Sequence, residues 1–275
     1  MPYRHAPYYI LICIAVIFAG FWESYFSVWG SVPWQFHAHG VAASIWVLMV
    51  LAQSWTPHHG QLMLHRAVGK SSLLLFPFLI GGLAAIIDLT GKGYVANDGP
   101  VRQMFGGEFL IGLALGMADY VVLYFRALKY RRKVWAHSGY MLSTPLILFE
   151  SPFSRILGTW MPGLAIRGPQ DFHLVIPSIL WAMAAELAII AAIWIKFRDR
   201  ANPFLVAALF IVAQMLTMGL MRDNAVLEML LVIIGNTPSA AVVMAGSPLG
   251  AATTWAGWQA GKRPVAPIAG VAQPA

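Results

Sequence analysis

Between His39 and His58 the chain runs about 18 residues without a charge, roughly 27 Å of helix at ~1.5 Å per residue, close to the hydrocarbon thickness of a bilayer. Five of the eight histidines bracket this run: His37 and His39 at its entry, His58, His59 and His65 beyond its exit. It reads as a membrane span with ionisable nitrogens at both water interfaces. Comparable runs recur at 8–28, 36–55, 70–90, 105–126, 138–157, 173–195 and 203–221. Only 11% of the 275 residues are charged and 59% are hydrophobic, whereas a soluble domain carries about 25% charged residues. The fold class expected is therefore all-α, a polytopic transmembrane helical bundle of seven spans forming a single domain over 1–260.

An eighth segment, 225–258, is broken by Asn236-Thr237-Pro238 and Gly246-Ser247-Pro248. It is expected either to span with a proline kink or to re-enter as a helical pair. The Pro/Ala/Gly-rich tail 261–275 is expected to be disordered. The first run is too long and too aromatic for a signal peptide, lacks a small-residue cleavage site, and is taken as a retained helix. The lone Cys13 excludes an intrachain disulfide framework and any cysteine-based metal site. The net charge of +7 lies in loops between spans, which argues against nucleic acid as a partner and for the lipid bilayer.

Loop charge sets the expected orientation. One side collects Arg4, Arg66, Lys70, Arg126, Lys129, Arg131, Arg132, Lys133, Lys196, Arg198 and Arg200; the other collects only Lys92, Arg102, Arg155, Arg167 and Arg222. Cytoplasmic loops hold the excess of Lys and Arg, so the N-terminus is expected in the cytoplasm of a bacterial inner membrane protein.

Topology sorts the polar residues into two tiers. The outer tier holds Glu23, His37, His39, Asp88, Glu108, Glu150, Arg155, Asp171 and His173. The inner tier holds His58, His59, His65, Arg66, Lys70, Arg131, Arg132 and His137. Asp119 and Glu186 lie deeper, where ionisable groups are costly and usually face a bundle interior. A haem b needs imidazoles at one depth on two helices. His65 and His137 meet that condition, with Arg66 and Arg132 to pair with propionates, and His39 and His173 offer a matching outer pair. A transition metal is the other cofactor considered. His37 and His39, two apart, lie about 200° from each other on a helix and converge only if His37 belongs to an extended lead-in. Glu23, Glu108 or His173 would then complete the site. His58 and His59 read as a solvated loop pair, and the Met215, Met218, Met221 stripe as packing rather than a copper ladder.

The succession FHAHGVAASIWVLMVLAQ, LHRAVGK, Asp119, RRKVWAHSGYML and SRIL resembles a set of bacterial multi-spanning membrane proteins of unknown function. They show His-x-His, Leu-His-Arg-x-x-Gly and Arg-Arg…His-x-x-x-Met elements. The matching positions are His37, His39, His65, Arg66, Gly69, Asp119, Arg132, His137, Met141 and Arg155. The pattern departs at Arg198–Pro203, where those proteins tend to carry a histidine. The resemblance implies no activity, but it selects many of the same ionisable residues.

Three functions follow as expectations. The first is a redox protein with haem b held by His65 and His137, a second cofactor or a quinol-accessible cavity at His39, and Asp119 and Glu186 as a proton path. The second is a proton- or cation-coupled transporter without a cofactor, in which Glu23, Asp119 and Glu186 bind the ion and the kinked last segment gates. The third is an accessory subunit of a larger membrane complex.

Overall fold

The computed structural model describes residues 2–262. The expected tail therefore lies, apart from Gly261 and Lys262, outside the described residues. Ten α-helices make up nearly all of it, with no strand among the described residues. They are α1 (Ala6–Phe21, extended by a π-helical turn to Phe26), α2 (Trp34–Trp55), α3 (Leu62–Val95), α4 (Pro100–Lys129) and α5 (Val134–Ile147). Then come α6 (Glu150–Trp160), α7 (Val175–Phe197), α8 (Asn202–Leu220), α9 (Ala225–Asn236) and α10 (Ser239–Ala260). Five helical stretches are long and apolar enough to cross a bilayer, six if the bent pair α9–α10 counts as one. One of the five, Pro169–Leu220, contains α7 and α8, which fold back on each other at Arg198, a non-glycine residue with φ 51°. Large apolar side chains face outward along the helices, among them Leu74, Phe78 and Leu209 at 74%, 69% and 71% exposure. Contiguous greasy surface of this kind belongs against lipid.

Helix α3 is the hub, packed against α2, α4, α9 and α10. Small residues let the neighbours approach backbone to backbone, the usual device where lipid removes a hydrophobic drive between helices. A Cβ at Gly82 would sit 2.8 Å from the Cα of His39 in α2, and one at Gly250 of α10 would sit 2.7 Å from the Cα of Pro77 in α3.

The open question about the eighth segment now has a geometry. A bend of 107° separates α9 from α10. The 12 residues of α9 span about 18 Å, too short to cross. Helix α10 runs antiparallel to α3 from one end of the bundle to the other: Lys92 reaches the bend near its start, and Arg131 bonds Trp258 near its end. Span 5 also differs from expectation, because it is two short helices, α5 and α6, divided at Leu148–Phe149.

Several of the ends that loop charge assigns to one side meet in space. At one end Tyr3 packs on Trp135, Phe197 and Phe204, joining the N-terminus to the starts of α5 and α8 and the end of α7. Burial pushes its phenol up to about 12, so it remains a donor, to the Arg200 carbonyl at 2.6 Å. Arg131 seals the ends of α4 and α10 at the same end, donating to the Leu128 and Trp258 carbonyls.

Enlarging either glycine contact should test this packing. Gly82→Leu and Gly250→Leu are each expected to lower unfolding stability in detergent by roughly 1–3 kcal/mol through overpacking. Gly30→Leu, where nothing lies within 4 Å, should leave thermal unfolding unchanged.

Candidate functional site

The site starts from a missing N–H. Pro145 cannot donate to the carbonyl of Met141 four residues earlier, so one turn of α5 loses its ladder bond. The Thr144 hydroxyl supplies the substitute, donating to Met141 at 2.8 Å, and the indole N–H of fully buried Trp46 donates to Thr144 at 2.9 Å. The Cys13 thiol of α1 approaches the Pro145 carbonyl at 3.7 Å. With the freed carbonyl satisfied by Thr144, and side chains of α1 and α2 packed at the same turn, the chain ends α5 at Ile147 and restarts as α6 at Glu150. A discontinuous helix inside a bundle places helix-terminal dipoles at mid-depth, the arrangement by which transporters hold ions.

Two carboxyl groups lie at that break and a third lies deeper in the bundle near them. Glu150 opens α6, Glu186 projects from α7, and Asp119 projects from α4. Glu186 lies near enough to Glu150 and Asp119 for their charges to interact. Asp119 and Glu186 stand at one depth, each about ten residues or roughly 15 Å from the helix end on the N-terminal side. Both are 1% exposed. Neither oxygen of Asp119 has a hydrogen-bond partner, nor does Oε1 of Glu186, nor the hydroxyl of the adjacent, fully buried Tyr120. Buried polar groups are nearly always partnered, and an unpaired buried charge costs several kcal/mol even after relaxation. Asp119 and Glu186 therefore need a proton or a partner that the described residues do not supply.

The histidines fare differently. His65 and His137 enter from the same end, on α3 and α5, close enough for their charges to interact. His137 bonds through Nδ1 to the Ala127 carbonyl at 2.9 Å, leaving Nε2, while Nδ1 of His65 is enclosed and unpartnered. Arg66 and Arg132 are exposed beside this end. His39 and His173 are not brought together. His173 is exposed and bonds the Gln170 carbonyl, whereas His39 is wedged beside Gly82 on helices with no substantial contact to that loop.

The expected metal set does not assemble. Helix α2 already begins at Trp34, so His37 and His39 diverge as the helical spacing requires. His37 instead bonds the Tyr25 hydroxyl at 3.2 Å and packs on Trp29. Glu23 is exposed on the π-turn, and Glu108 is buried near Asp223 and Arg222 at the start of α4. Among the described residues no three His, Cys, Asp or Glu side chains gather as metal ligands.

A second polar construction escaped the sequence reading. Fully buried Asp88 accepts from Gln35 of α2 at 3.3 Å and pairs with Lys92 at 3.3 Å. Lys92 in turn donates to the Gly235 and Thr237 carbonyls at the α9–α10 bend, at 3.3 and 2.7 Å. The only local signal was the Asp88–Lys92 spacing of four, a common helix-surface pair; its long-range partners left none.

Comparison with protein families, curated proteins and solved structures finds no match to this chain.

Removing the donors at the break should destabilise it. Trp46→Phe and Thr144→Val are each expected to cost about 1–3 kcal/mol of stability in detergent, the range for orphaning a buried acceptor. Lys92→Met should raise hydrogen exchange at the bend around residue 237 while leaving α1 unaffected, read by mass spectrometry.

Proposed function

We propose that this chain is a membrane transporter that binds protons or a small monovalent cation at Asp119, Glu150 and Glu186 as part of its cycle. One observation supports the reading above all: Asp119 and Glu186 are buried inside an apolar bundle beside a helix break opened by Glu150, with three of the oxygens of Asp119 and Glu186 buried and unpartnered. The C-terminal end of α5 offers carbonyl dipoles to a cation, and the N-terminal end of α6 supports the carboxylate of Glu186. The excess of Lys and Arg at the N-terminal end supports a cytoplasmic N-terminus in a bacterial inner membrane.

Solid-supported-membrane recording on proteoliposomes tests this. A pH or Na+ jump should displace charge in the wild type, and Glu186→Gln and Asp119→Asn should each reduce the displaced charge at least tenfold. Wild-type currents no larger than those of protein-free liposomes would sink the proposal.

A second reading draws on His65 and His137. Their shared end, their mutual proximity and the bond that orients the His137 ring toward Nε2 ligation support a haem b, with a quinol or other redox partner. The purified protein would then show a reduced Soret and α band, lost in both His65→Ala and His137→Ala. An absorption spectrum without these bands excludes it.

A further inference from the structure

At the N-terminal end, the loop between α4 and α5 and the turn between α7 and α8 line an open surface hollow of about 490 Å³, within the ~300–1,000 Å³ of small-molecule sites. Its lining includes Tyr130, Lys133, Trp135, Tyr140, Asp199 and Arg200. The rings form a fixed wall, with Tyr130 and Tyr140 stacked at 6.0 Å and 18°. Cations cap them: Lys133 lies 5.7 Å from the centre of Tyr130, Lys129 5.4 Å from the same ring, and Arg200 4.7 Å from Trp135. Arg126 donates to the Tyr140 hydroxyl at 3.2 Å. The floor is rigid, since the backbone of α5 at Gly139 presses on Pro203 of α8.

These cations form no ion pair among the described residues. Among the described residues every ion pair (Lys92–Asp88, Arg102–Asp98, Arg222–Asp223) lies at the opposite end of the bundle. Asp199 is the one acid in the lining, against Lys133 and Arg200 within it and Arg126 and Lys129 at its rim. The hollow therefore combines an aromatic wall, a net positive charge and a place at the level of lipid headgroups. A basic pocket between transmembrane helices at such a level suits an anionic headgroup.

We propose that this hollow is a binding site for the phosphate of an anionic glycerophospholipid, held by Lys133 and Arg200, with Asp199 accepting from a headgroup hydroxyl. The acyl chains would extend along the apolar flank of α8. The site is independent of the carboxyl cluster, which lies deeper and on other helix faces.

Native mass spectrometry of the full-length protein in mild detergent, with phosphatidylglycerol or phosphatidylethanolamine added, provides the test. Wild-type protein should retain phosphatidylglycerol in preference to phosphatidylethanolamine. Lys133→Gln combined with Arg200→Gln should weaken that retention by roughly tenfold to thirtyfold. Neutralising Arg200 leaves the turn intact, because Tyr3 bonds its backbone carbonyl. Arg4→Gln combined with Lys196→Gln, which removes two charges from the same end but outside the hollow, should change nothing. Equal loss in both double variants would reduce the effect to general surface charge and overturn the proposal. Displacement of the lipid by millimolar inorganic phosphate would also overturn it, in favour of a free-anion site. Should the Lys133/Arg200 variant not be recoverable, equal wild-type retention of the two lipids would decide against it.

Discussion

A backbone carbonyl released in the interior of a bilayer has no water to turn to, and the architecture follows from how that one debt is met at Met141. Pro145 withholds the bond, Thr144 supplies it from the same helix, and Trp46 holds Thr144 from the next. Because Trp46 holds Thr144, the α5–α6 break is tied to α2, which packs against α3 and α5. The close approach of α2 to α3 at Gly82 is therefore part of the same construction, although it lies elsewhere along the helix. The fold and the site share one support.

Much of the fold was legible because hydrocarbon imposes a length and a composition that local sequence cannot disguise. The helices fall on the apolar runs, and α3 and α4 extend past them at both ends with polar turns. Charge counting along the loops grouped the same ends that Tyr3 and Arg131 join in space. Asp119 and Glu186 stood out because burying an acid in such a run demands a reason.

What was not legible depended on neighbours. Pro77, Pro145 and Pro248 all sit inside apolar runs, yet α3 and α10 continue through theirs while α5 ends two residues later. The sequence does not distinguish them, because the difference lies in what packs beside each. Pro77 is clamped by Gly250, whereas at Pro145 the hydroxyl of Thr144 takes over the freed carbonyl and Trp46 and Cys13 reach in from α2 and α1. Glu150 was visible only as one more outer-tier acid until that stop placed it at the head of a new helix. His37 and His39 misled for the opposite reason: an imagined extended lead-in was a full helical turn, and the two rings were sent apart. Lys92 entered only as a loop cation, yet it bonds carbonyls 143 and 145 residues away.

The thiol at the break has a further consequence. Since the chain contains one cysteine, its infrared S–H stretching band arises from a single oscillator, and that oscillator points at the Pro145 carbonyl. The frequency of the band is thus a native vibrational gauge of the spacing between the first helix and the interrupted one, and it needs no label.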